Sequence, residues 1–486
     1  MGGYKNRVPI LTYMLMGDDT GQVPPTRSLQ VGLSDVAYDS TTDEQRKLIF
    51  VADHSRIKSY AWGTPSGDSG SGENYTKLVP MHTLSSIGPG SSRGPLAVIN
   101  GRLLRSNKGS ISIWNIDTLA THVGNGKTLI GGEFDPEESW RDDPEDIERS
   151  AGSAPDTSVT FQDSALSPAR WHSHPSNEGA MLCSSEPQNS PPAYYCITLD
   201  IETGKTAGRY LGHGSAIGSF STSAAADPNI FVTGALDGYA RLYDVRHPLP
   251  VLTLDVGYQS ESCSSALITH PNGIPSMCIG KSCSSLLTLF HNIAVFTGQE
   301  DSEQIKLWDI RARAAVYELA TGNNAVVALA WDHARNALYA ATECRYVDRM
   351  GSHHDYRKAV IPKNQAEDPA GEDTENEEES GDIDENEGDS DEDSEDASFG
   401  KKWPKKANHS EDYFGYPFDA AGHRLCEFML EKSSWWSNID SCSPGQIVMP
   451  SRKMPIQVFC RVGAACISRQ RYRLLQENPS ILVTLG

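Results

Sequence analysis

One short pattern, present in two near copies, limits most strongly what this 486-residue chain can fold into. The segment IFVTGALDGYARLYDVR (230–246) has a near copy in AVFTGQEDSEQIKLWDIR (294–311). Each copy is a run rich in Val, Ile and Phe, then a polar turn, then an alternating run that ends in a large residue and an acid. This order predicts an antiparallel β-hairpin.

An acid or amide recurs in the predicted turns. Weaker copies of the pattern share its spacing of six or seven residues between the turn residue and the large residue. The pairs are Asp53 with Tyr60, Asn107 with Trp114, Asp237 with Tyr243, Asp301 with Trp308, and Asp419 with Cys426. A carboxylate in a tight turn accepts backbone N–H bonds that the turn otherwise leaves open. The repeats therefore predict a series of small antiparallel sheets and an all-β fold.

The copy at 230–246 also predicts a hydrogen-bonded network within one sheet. His213 follows a glycine about twenty residues upstream of Asp237, and Thr233 lies on the strand between them. We expect His213, Thr233, Asp237 and Tyr243 to bond to one another inside the sheet.

These motifs resemble those of WD-repeat (WD40) β-propeller proteins. The dipeptides are Gly-His at 212–213, Tyr-Asp at 243–244, Trp-Asp at 308–309 and Trp-Asn at 114–115. The resemblance covers roughly residues 28–343 and 408–430, and the chain also resembles a fungal group of such proteins with a long acidic insertion. It implies a propeller of seven blades, six of them recognisable, with the seventh assembled from strands near both termini.

The composition divides the chain further. Residues 367–396 hold 18 Asp and Glu and no Lys or Arg, so most of the net charge of −22 belongs to one run. Such a run has little apolar surface to bury and repels itself. We expect an N-terminal extension (1–27), a propeller (28–430) interrupted by a disordered acidic insertion at about 345–407, and a poorly defined C-terminal tail (431–486).

Three segments have more specific interpretations. The polar stretch 131–158 predicts a long surface excursion after the second blade. The stretch 273–296 is either an extra element or an unspliced segment, and 431–486 is either a closing strand plus a tail or a mistranslated extension. The cluster KKWPKK, with Lys401, Lys402, Lys405 and Lys406, is a nuclear-import candidate, a counter-charge for the acidic run, or a solvated loop.

The remaining signals predict an intracellular protein of the nucleus, the cytoplasm or both. None of the 10 Cys forms a CxxC pair, and the first residues lack a sustained apolar stretch. The most apolar window, 284–296, is too short to span a bilayer.

Catalytic motifs are absent from the sequence: there is no GxSxG, no HExxH and no Gly-rich phosphate loop in a strand-to-helix context. His172 and His174 can share one face of a strand, but no carboxylate or Cys cluster completes a metal site, so surface histidines are the favoured interpretation. We therefore expect no enzyme activity, no cofactor and no metal.

Function is expected to depend on other proteins. The leading hypothesis is a non-enzymatic interaction scaffold, monomeric outside its complexes. Asp244 with Arg246 and Asp309 with Arg311 resemble the WD-x-R endings of substrate receptors that bind the propeller adaptor of a cullin-based ubiquitin ligase; the competing interpretation is that each Arg pairs with its own blade acid.

The acidic run suggests a second alternative, an escort for basic proteins such as histones or assembling ribosomal proteins. The competing interpretation is a solubilising bristle. The negative charge argues against direct nucleic-acid binding.

Overall fold

A computed structural model describes residues 9–15, 26–62, 79–86, 93–123, 128–135, 144–185, 194–223, 227–256, 263–269, 293–299, 304–310, 313–348, 352–358, 402–405, 419–420, 422–429, 471–474 and 481–485. Within these ranges the fold is all-β, with two short 3₁₀ turns at Ile116–Thr118 and Pro144–Asp146. This confirms the all-β prediction. None of the described helices is long and apolar enough to cross a membrane.

The described strands form seven main antiparallel sheets and one small hairpin. Sheet 1 contains β3 (Asp39–Asp43), β4 (Leu48–Ala52), β5 (Arg56–Ala61) and β6 (His82–Ser85). Sheet 2 contains β7 (Leu96–Ile99), β8 (Arg102–Asn107), β9 (Ser110–Asn115) and β10 (Thr157–Thr160). Sheet 3 contains β11 (Pro168–Ser173), β12 (Ala180–Ser185), β13 (Cys196–Asp200) and β14 (Thr206–Tyr210). Sheet 4 contains β15 (Ile217–Thr222), β16 (Ile230–Ala235), β17 (Tyr239–Asp244) and β18 (Leu252–Asp255).

The later strands complete the set. Sheet 5 contains β19 (Cys263–Thr269), β20 (Ala294–Gln299), β21 (Gln304–Asp309) and β22 (Ala314–Ala320). Sheet 6 contains β23 (Ala325–Asp332), β24 (Ala337–Glu343) and β27 (Arg424–Met429), and the hairpin contains β25 (Tyr356–Lys358) and β26 (Lys402–Pro404). The terminal sheet has the order β2-β1-β29-β28, with β1 (Ile10–Leu15), β2 (Thr26–Gln30), β28 (Arg471–Leu474) and β29 (Ile481–Leu485).

Three of the second strands are buried along their whole length instead of alternating between buried and exposed residues. All residues of β4, β16 and β20 are buried. A strand covered on both faces reads as a continuous hydrophobic run. The apolar cluster that contains Val232, Ile268 and Val295 joins sheets 4 and 5, so the second strands are covered by neighbouring sheets.

The first strands of successive sheets lie beside one another: β3 contacts β7, and β7, β11, β15, β19, β23 and β28 follow in that order. Serine side chains connect three of them. The hydroxyls of Ser219 and Ser221 on β15 accept the N–H groups of Ala266 (2.9 Å) and Ile268 (3.2 Å) on β19. The hydroxyl of Ser264 on β19 donates to a carbonyl of β23, 2.5 Å away. These bonds fix the offset between adjacent sheets.

A local irregularity repeats in four consecutive first strands. The pairing register of β11, β15, β19 and β23 shifts near the start of each strand, where one residue is skipped. The skipped residues are Ala169, Gly218, Ser264 and Val327. A β-bulge bends a strand and increases its twist. The four sheets are therefore bent at equivalent positions, which the sequence pattern did not reveal.

Sequence elements from both ends of the chain meet in the terminal sheet. β1 pairs with β29 in the register Leu11 to Leu485 through Leu15 to Ile481. β29 in turn pairs with β28. One strand of the segment 431–486, β29, thus lies beside β1 of the segment 1–27.

Part of the polar stretch 131–158, which the sequence predicts as a surface excursion, is buried against a sheet. We define the strap as residues 128–135 and 144–156, which lie between β9 and β10 of sheet 2 in the chain but pack on sheet 1. Ile147 and Ser150 are buried, and Ser153 forms a parallel bridge with Leu84 of β6. Many strap residues are exposed, as the prediction of a surface excursion requires, but the buried ones pack on sheet 1, where strap groups bind the buried cations Lys58 and Arg56.

The structure describes residues at both ends of the predicted disordered insertion, about 345–407. β25 and β26 pair with each other in the register Tyr356 to Pro404 through Lys358 to Lys402. Residues 359–401, with the acidic run, lie outside the described residues, as do residues 273–292 of the segment 273–296.

Candidate interaction face

The turn acid of sheet 4 binds the backbone as predicted for such a residue. The carboxylate of Asp237 accepts the N–H of Tyr239 (3.2 Å) and, across the loop, the N–H of Gly214 (2.7 Å). It also receives two hydrogen bonds from the guanidinium of Arg241, at 2.9 and 2.8 Å. Burial disfavours the charged carboxylate, but the bonds from Arg241 and Gly214 outweigh it, and the pKa of Asp237 lies below its usual value.

Three of the four predicted network residues come together in sheet 4. Nε2 of His213 lies 3.1 Å from the hydroxyl of Thr233 and 3.3 Å from that of Tyr243. The Tyr243 hydroxyl donates to the carbonyl of Leu211 at 2.8 Å. Burial, followed by the charge of Arg241, lowers the pKa of His213 to about 4. His213 is therefore neutral near pH 7 and serves as a structural hydrogen-bonding group.

Asp237 takes Arg241, and not His213, as its side-chain partner. Arg241 is not among the predicted network residues, although the sequence carries a signal for it: Tyr239, Arg241 and Tyr243 alternate along β17 and so share one face. An Arg on the face that carries the turn acid is the residue to look for in such a hairpin.

Sheet 1 repeats the arrangement with different side chains. Asp53 is fully buried and accepts the N–H groups of Ser55 (2.8 Å) and Arg56 (2.7 Å). The hydroxyl of Tyr60 donates to the carbonyl of Val31 at 2.6 Å, as Tyr243 does to Leu211 in sheet 4. The aromatic residue of the pattern therefore ties the third strand to the loop that precedes the first strand.

Of the other repeat residues, the structure describes Trp308 and Asp419 but not Asp301. Trp308 donates from Nε1 to the hydroxyl of Thr297 at 2.8 Å, and Asp301 lies outside the described residues. Asp419 lies shortly before β27, next to Ala420, whose N–H donates to the carbonyl of Gly322. Burial, with the charges of Cys344 and Asp419, raises the pKa of Tyr356.

Arg246 and Asp244, proposed as partner-binding residues, form an ion pair with each other. Nε of Arg246 lies 2.8 and 3.1 Å from the two carboxylate oxygens, and Nη2 lies 2.5 Å from one of them. The Arg246 side chain is 59% exposed and that of Asp244 is 10% exposed. The hydrogen bonds from Arg246 hold the pKa of Asp244 below its usual value.

The second pair of the motif is described only in part. Asp309 is half-buried at the end of β21, and Arg311 lies outside the described residues. Whether Arg246 and Arg311 act together thus stays a prediction.

Arg246 belongs to an edge at which neighbouring sheets are linked by ion pairs. We call it the exit edge: it is the edge of each sheet at which the third strand ends and the second strand begins. Arg46 binds Asp117 of the next sheet at 2.8 Å, and Arg102 binds Glu202 of the sheet after it at 2.6 Å. These pairs are exposed and contribute little stability each. They show that the exit edges of sheets 1 to 3 face one side of the molecule.

The strap closes over a buried cluster of charges on sheet 1. Lys58 on β5 has no exposed surface and forms an ion pair with Glu148 of the strap. The hydroxyl of Thr83 lies 3.3 Å from Nζ of Lys58, 3.2 Å from Oε2 of Glu148, and 2.9 Å from Nε2 of His122. The cluster is enclosed, so its first role is to hold the strap.

The pKa values in this cluster follow from burial and pairing. Burial lowers the pKa of Lys58 to about 8, with a further contribution from the charge of Arg56. Burial disfavours the Glu148 carboxylate, but Lys58 and the bonds from Ser150 outweigh it and lower its pKa to about 2. Both groups are therefore charged near pH 7.

Reactive groups are sparse among the described residues. No group of three or more His, Cys, Asp or Glu suited to a metal ion is found there. Burial raises the pKa of the Cys183 thiol and raises that of Cys263 to about 12, so both thiols stay protonated. A protonated, buried thiol is a poor nucleophile.

The structure describes two of the four lysines of the basic cluster 401–406, Lys402 and Lys405. Lys402 lies in β26, and Lys405 is exposed, with its N–H bonded to the carbonyl of Asp355. Lys401 and Lys406 lie outside the described residues. The nuclear-import interpretation and the role of the acidic run stay predictions.

Comparison with known proteins gives no assignment. No protein-family model matches the chain, and no curated protein matches it.

Proposed function

We propose that this protein is a closed seven-bladed β-propeller of the WD-repeat type that acts as a non-enzymatic scaffold for protein interactions. The observation that carries the proposal is the order of the sheets: the first strands follow one another from β3 to β28, and β28 belongs to the sheet that also holds β1 and β2. β2 leads directly into sheet 1. A chain whose last sheet shares strands with its first segment has the connectivity of a closed propeller.

The scaffold role is supported by the charged groups and loops that lie at the edges of the sheets. The turn acids and aromatic residues are used in internal hydrogen bonds, as at Asp237 and Tyr243. The exit edge carries exposed charges and loops on a rigid framework. Binding residues commonly lie on such loops.

Ring closure is tested by a disulfide across the terminal sheet. Thr12 lies opposite Thr484 in the register of β1 and β29. We expect the double variant Thr12→Cys/Thr484→Cys to form this bond under mild oxidation, identified by peptide mass mapping. A control that pairs Thr12→Cys with Val316→Cys, on sheet 5, is expected to form none. Equal cross-linking in both variants contradicts closure.

The scaffold role is tested with the purified full chain as bait in a native extract. We expect a reproducible set of captured proteins that a heat-unfolded bait does not retain, and no turnover with panels of common enzyme substrates. An intrinsic catalytic activity of the purified protein overturns the proposal.

A second candidate is a substrate receptor for a cullin-based ubiquitin ligase, favoured by the exposure of Arg246. Its pairing with Asp244 supports the competing interpretation, a structural ion pair. We expect Arg246→Ala/Arg311→Ala to abolish co-purification of the propeller adaptor if the receptor role is correct. Unchanged recovery of the adaptor excludes it.

A further inference from the structure

The strap also contacts the segment that joins the terminal sheet to sheet 1. The side-chain amide of Gln30, the last residue of β2, donates to Oδ2 of Asp146 at 3.0 Å. Two residues further along each segment, the N–H of Glu148 donates to the carbonyl of Gly32 at 3.1 Å. The strap therefore runs beside residues 30–32, through which β2 leads into sheet 1.

The strap and this linking segment are closely packed where they meet. Gly32 has φ +63°, and a Cβ at this position would lie 3.3 Å from both Cβ and N of Glu148 and 3.4 Å from the carbonyl oxygen of Asp146. A larger residue would strain the backbone and push the strap away. The guanidinium of Arg56 on β5 lies 3.4 Å from the carbonyl oxygen of Gly32, to which it donates. One carbonyl group of the linking segment is therefore bonded both to the strap and to sheet 1.

On sheet 1, the strap is bonded to the same buried arginine. Nη1 of Arg56 donates to the carbonyls of Glu148 at 2.5 Å and Ser150 at 3.2 Å. Its guanidinium also lies 4.0 Å from the centroid of the Phe134 ring, which belongs to the strap. Arg56 therefore connects the strap, the linking segment and sheet 1.

The second buried cation of sheet 1 depends on the strap for its carboxylate. Lys58 and Arg241 occupy equivalent positions, two residues before the aromatic residue of the repeated pattern. Arg241 forms an ion pair with Asp237 of its own sheet. Lys58 forms one with Glu148 of the strap. Sheet 1 thus receives from the strap a group that sheet 4 supplies itself.

The hairpin of β1 and β2 is the part of the terminal sheet that the strap contacts. Leu29 and Val31 are buried in one apolar cluster with Ile49 and Tyr60 of sheet 1. The other edge of β1 pairs with β29, which comes from the opposite end of the chain. A strand edge that is already fixed in place loses less conformational entropy when a second strand pairs with it.

We propose that the strap is a clamp that fixes the β1–β2 hairpin against sheet 1 and so holds the edge of β1 in place for β29. The inference rests on the closed propeller proposed above, because closure requires β29 to pair with β1. The clamp has two halves: the bond from Gln30 holds the hairpin, and the ion pair of Glu148 with Lys58 holds sheet 1. Loosening either half should therefore loosen the pairing of β1 with β29.

The test measures hydrogen exchange by mass spectrometry on the full chain, in the peptides that contain β1 and β29. Gln30→Ala breaks the half of the clamp that holds the hairpin, and Glu148→Gln breaks the half that holds sheet 1. We expect each variant to speed exchange in both peptides at least about threefold, the effect of losing about one hydrogen bond.

Each variant has a matched control. Gln162→Ala makes the same change as Gln30→Ala at an exposed glutamine after β10. Glu202→Gln makes the same change as Glu148→Gln in the exposed ion pair of Glu202 with Arg102. Both controls are expected to leave exchange in the β1 and β29 peptides unchanged, and circular dichroism confirms that each variant is folded.

The clamp is excluded if Gln30→Ala leaves exchange in the β1 and β29 peptides unchanged. It is also excluded if Glu148→Gln speeds exchange only in β6 and the strap, because the strap is then attached to sheet 1 alone. Equal acceleration in all sheets overturns it as well, because that result indicates a loss of global stability.

The disulfide between Thr12→Cys and Thr484→Cys separates failure of the clamp from failure of the propeller. If the disulfide forms selectively and the clamp variants leave exchange unchanged, the clamp is wrong and the closed propeller stands. If the disulfide forms no more readily than in the control with Val316→Cys, closure itself fails and the clamp fails with it.

Discussion

Replacing Glu148 by Gln tests how the strap is held on sheet 1. The substitution removes the negative charge beside Lys58 but keeps a side-chain oxygen of similar reach. Lys58 has no exposed surface, so without the counter-charge its amino group is either buried as an unpaired ammonium or loses its proton, and both outcomes cost folding free energy. We expect the strap to loosen before the remaining sheets unfold, because what then holds it on sheet 1 is the Arg56 guanidinium, which donates to the carbonyls of Glu148 and Ser150, and backbone hydrogen bonds at Ser153.

The expected loss of unfolding free energy follows from the burial of the Lys58–Glu148 ion pair. Removing one partner of a buried ion pair costs about 3–5 kcal/mol. Glu148 is 16% exposed, and Gln can still accept from Lys58 and Thr83, so we expect the lower end, about 3 kcal/mol. Adding Lys58→Met removes the unpaired charge and should recover about 2 kcal/mol, since apolar replacements of buried pairs are close to neutral.

The assay is urea unfolding combined with hydrogen exchange of the β6 peptide. Glu202→Gln is the matched control, because it makes the same substitution in the exposed ion pair of Glu202 with Arg102 and should cost less than about 1 kcal/mol. Equal effects of Glu148→Gln and Glu202→Gln refute the reasoning. A double variant Lys58→Met/Glu148→Gln that is no more stable than Glu148→Gln also refutes it.

Three further predictions concern single groups. Tyr243→Phe removes hydrogen bonds to a backbone carbonyl and to His213, and urea unfolding should show a loss of about 1–2 kcal/mol; an unchanged midpoint contradicts this role. Burial lowers the pKa of both His213 and His82 to about 4, so the unfolded state binds more protons between pH 6.5 and 4. Stability should therefore fall as the pH falls through this window, and His213→Gln should flatten the dependence of the unfolding midpoint on pH. Gly298→Ala places a Cβ 2.3 Å from Cγ1 of Val326 and should destabilise the protein by about 1–3 kcal/mol in thermal unfolding, whereas a neutral effect means that the two sheets separate readily there.

The hairpins and their turn acids were predictable because they depend on local interactions. Asp53 and Asp237 accept N–H groups two or three residues further along the chain, and such contacts recur wherever the turn recurs. The role of Tyr243 as the residue that ends the third strand was equally visible. Its acceptor, the carbonyl of Leu211, required knowledge of which loop lies beside the strand.

The candidate surface was predictable in part. Arg246 stood out because it follows the acid of a recurring motif. The position of the loop HPLPVL (247–252) was not predictable, because the sequence does not show that Leu211 is brought beside Pro248 by a backbone hydrogen bond.

The amino-acid sequence by itself determined the strands, the turns between them and the residues that stabilise each hairpin, since these depend on side-chain alternation and short-range hydrogen bonds. Only the tertiary structure decided which sheets lie side by side, that the strap between β9 and β10 packs on sheet 1, and that Glu148 neutralises Lys58 from 90 residues away. An unpaired charge is costly in the low dielectric of the packed interior, so a buried Lys needs a carboxylate partner. Which residue supplies that partner depends on the packing of distant segments, and no local sequence pattern shows it.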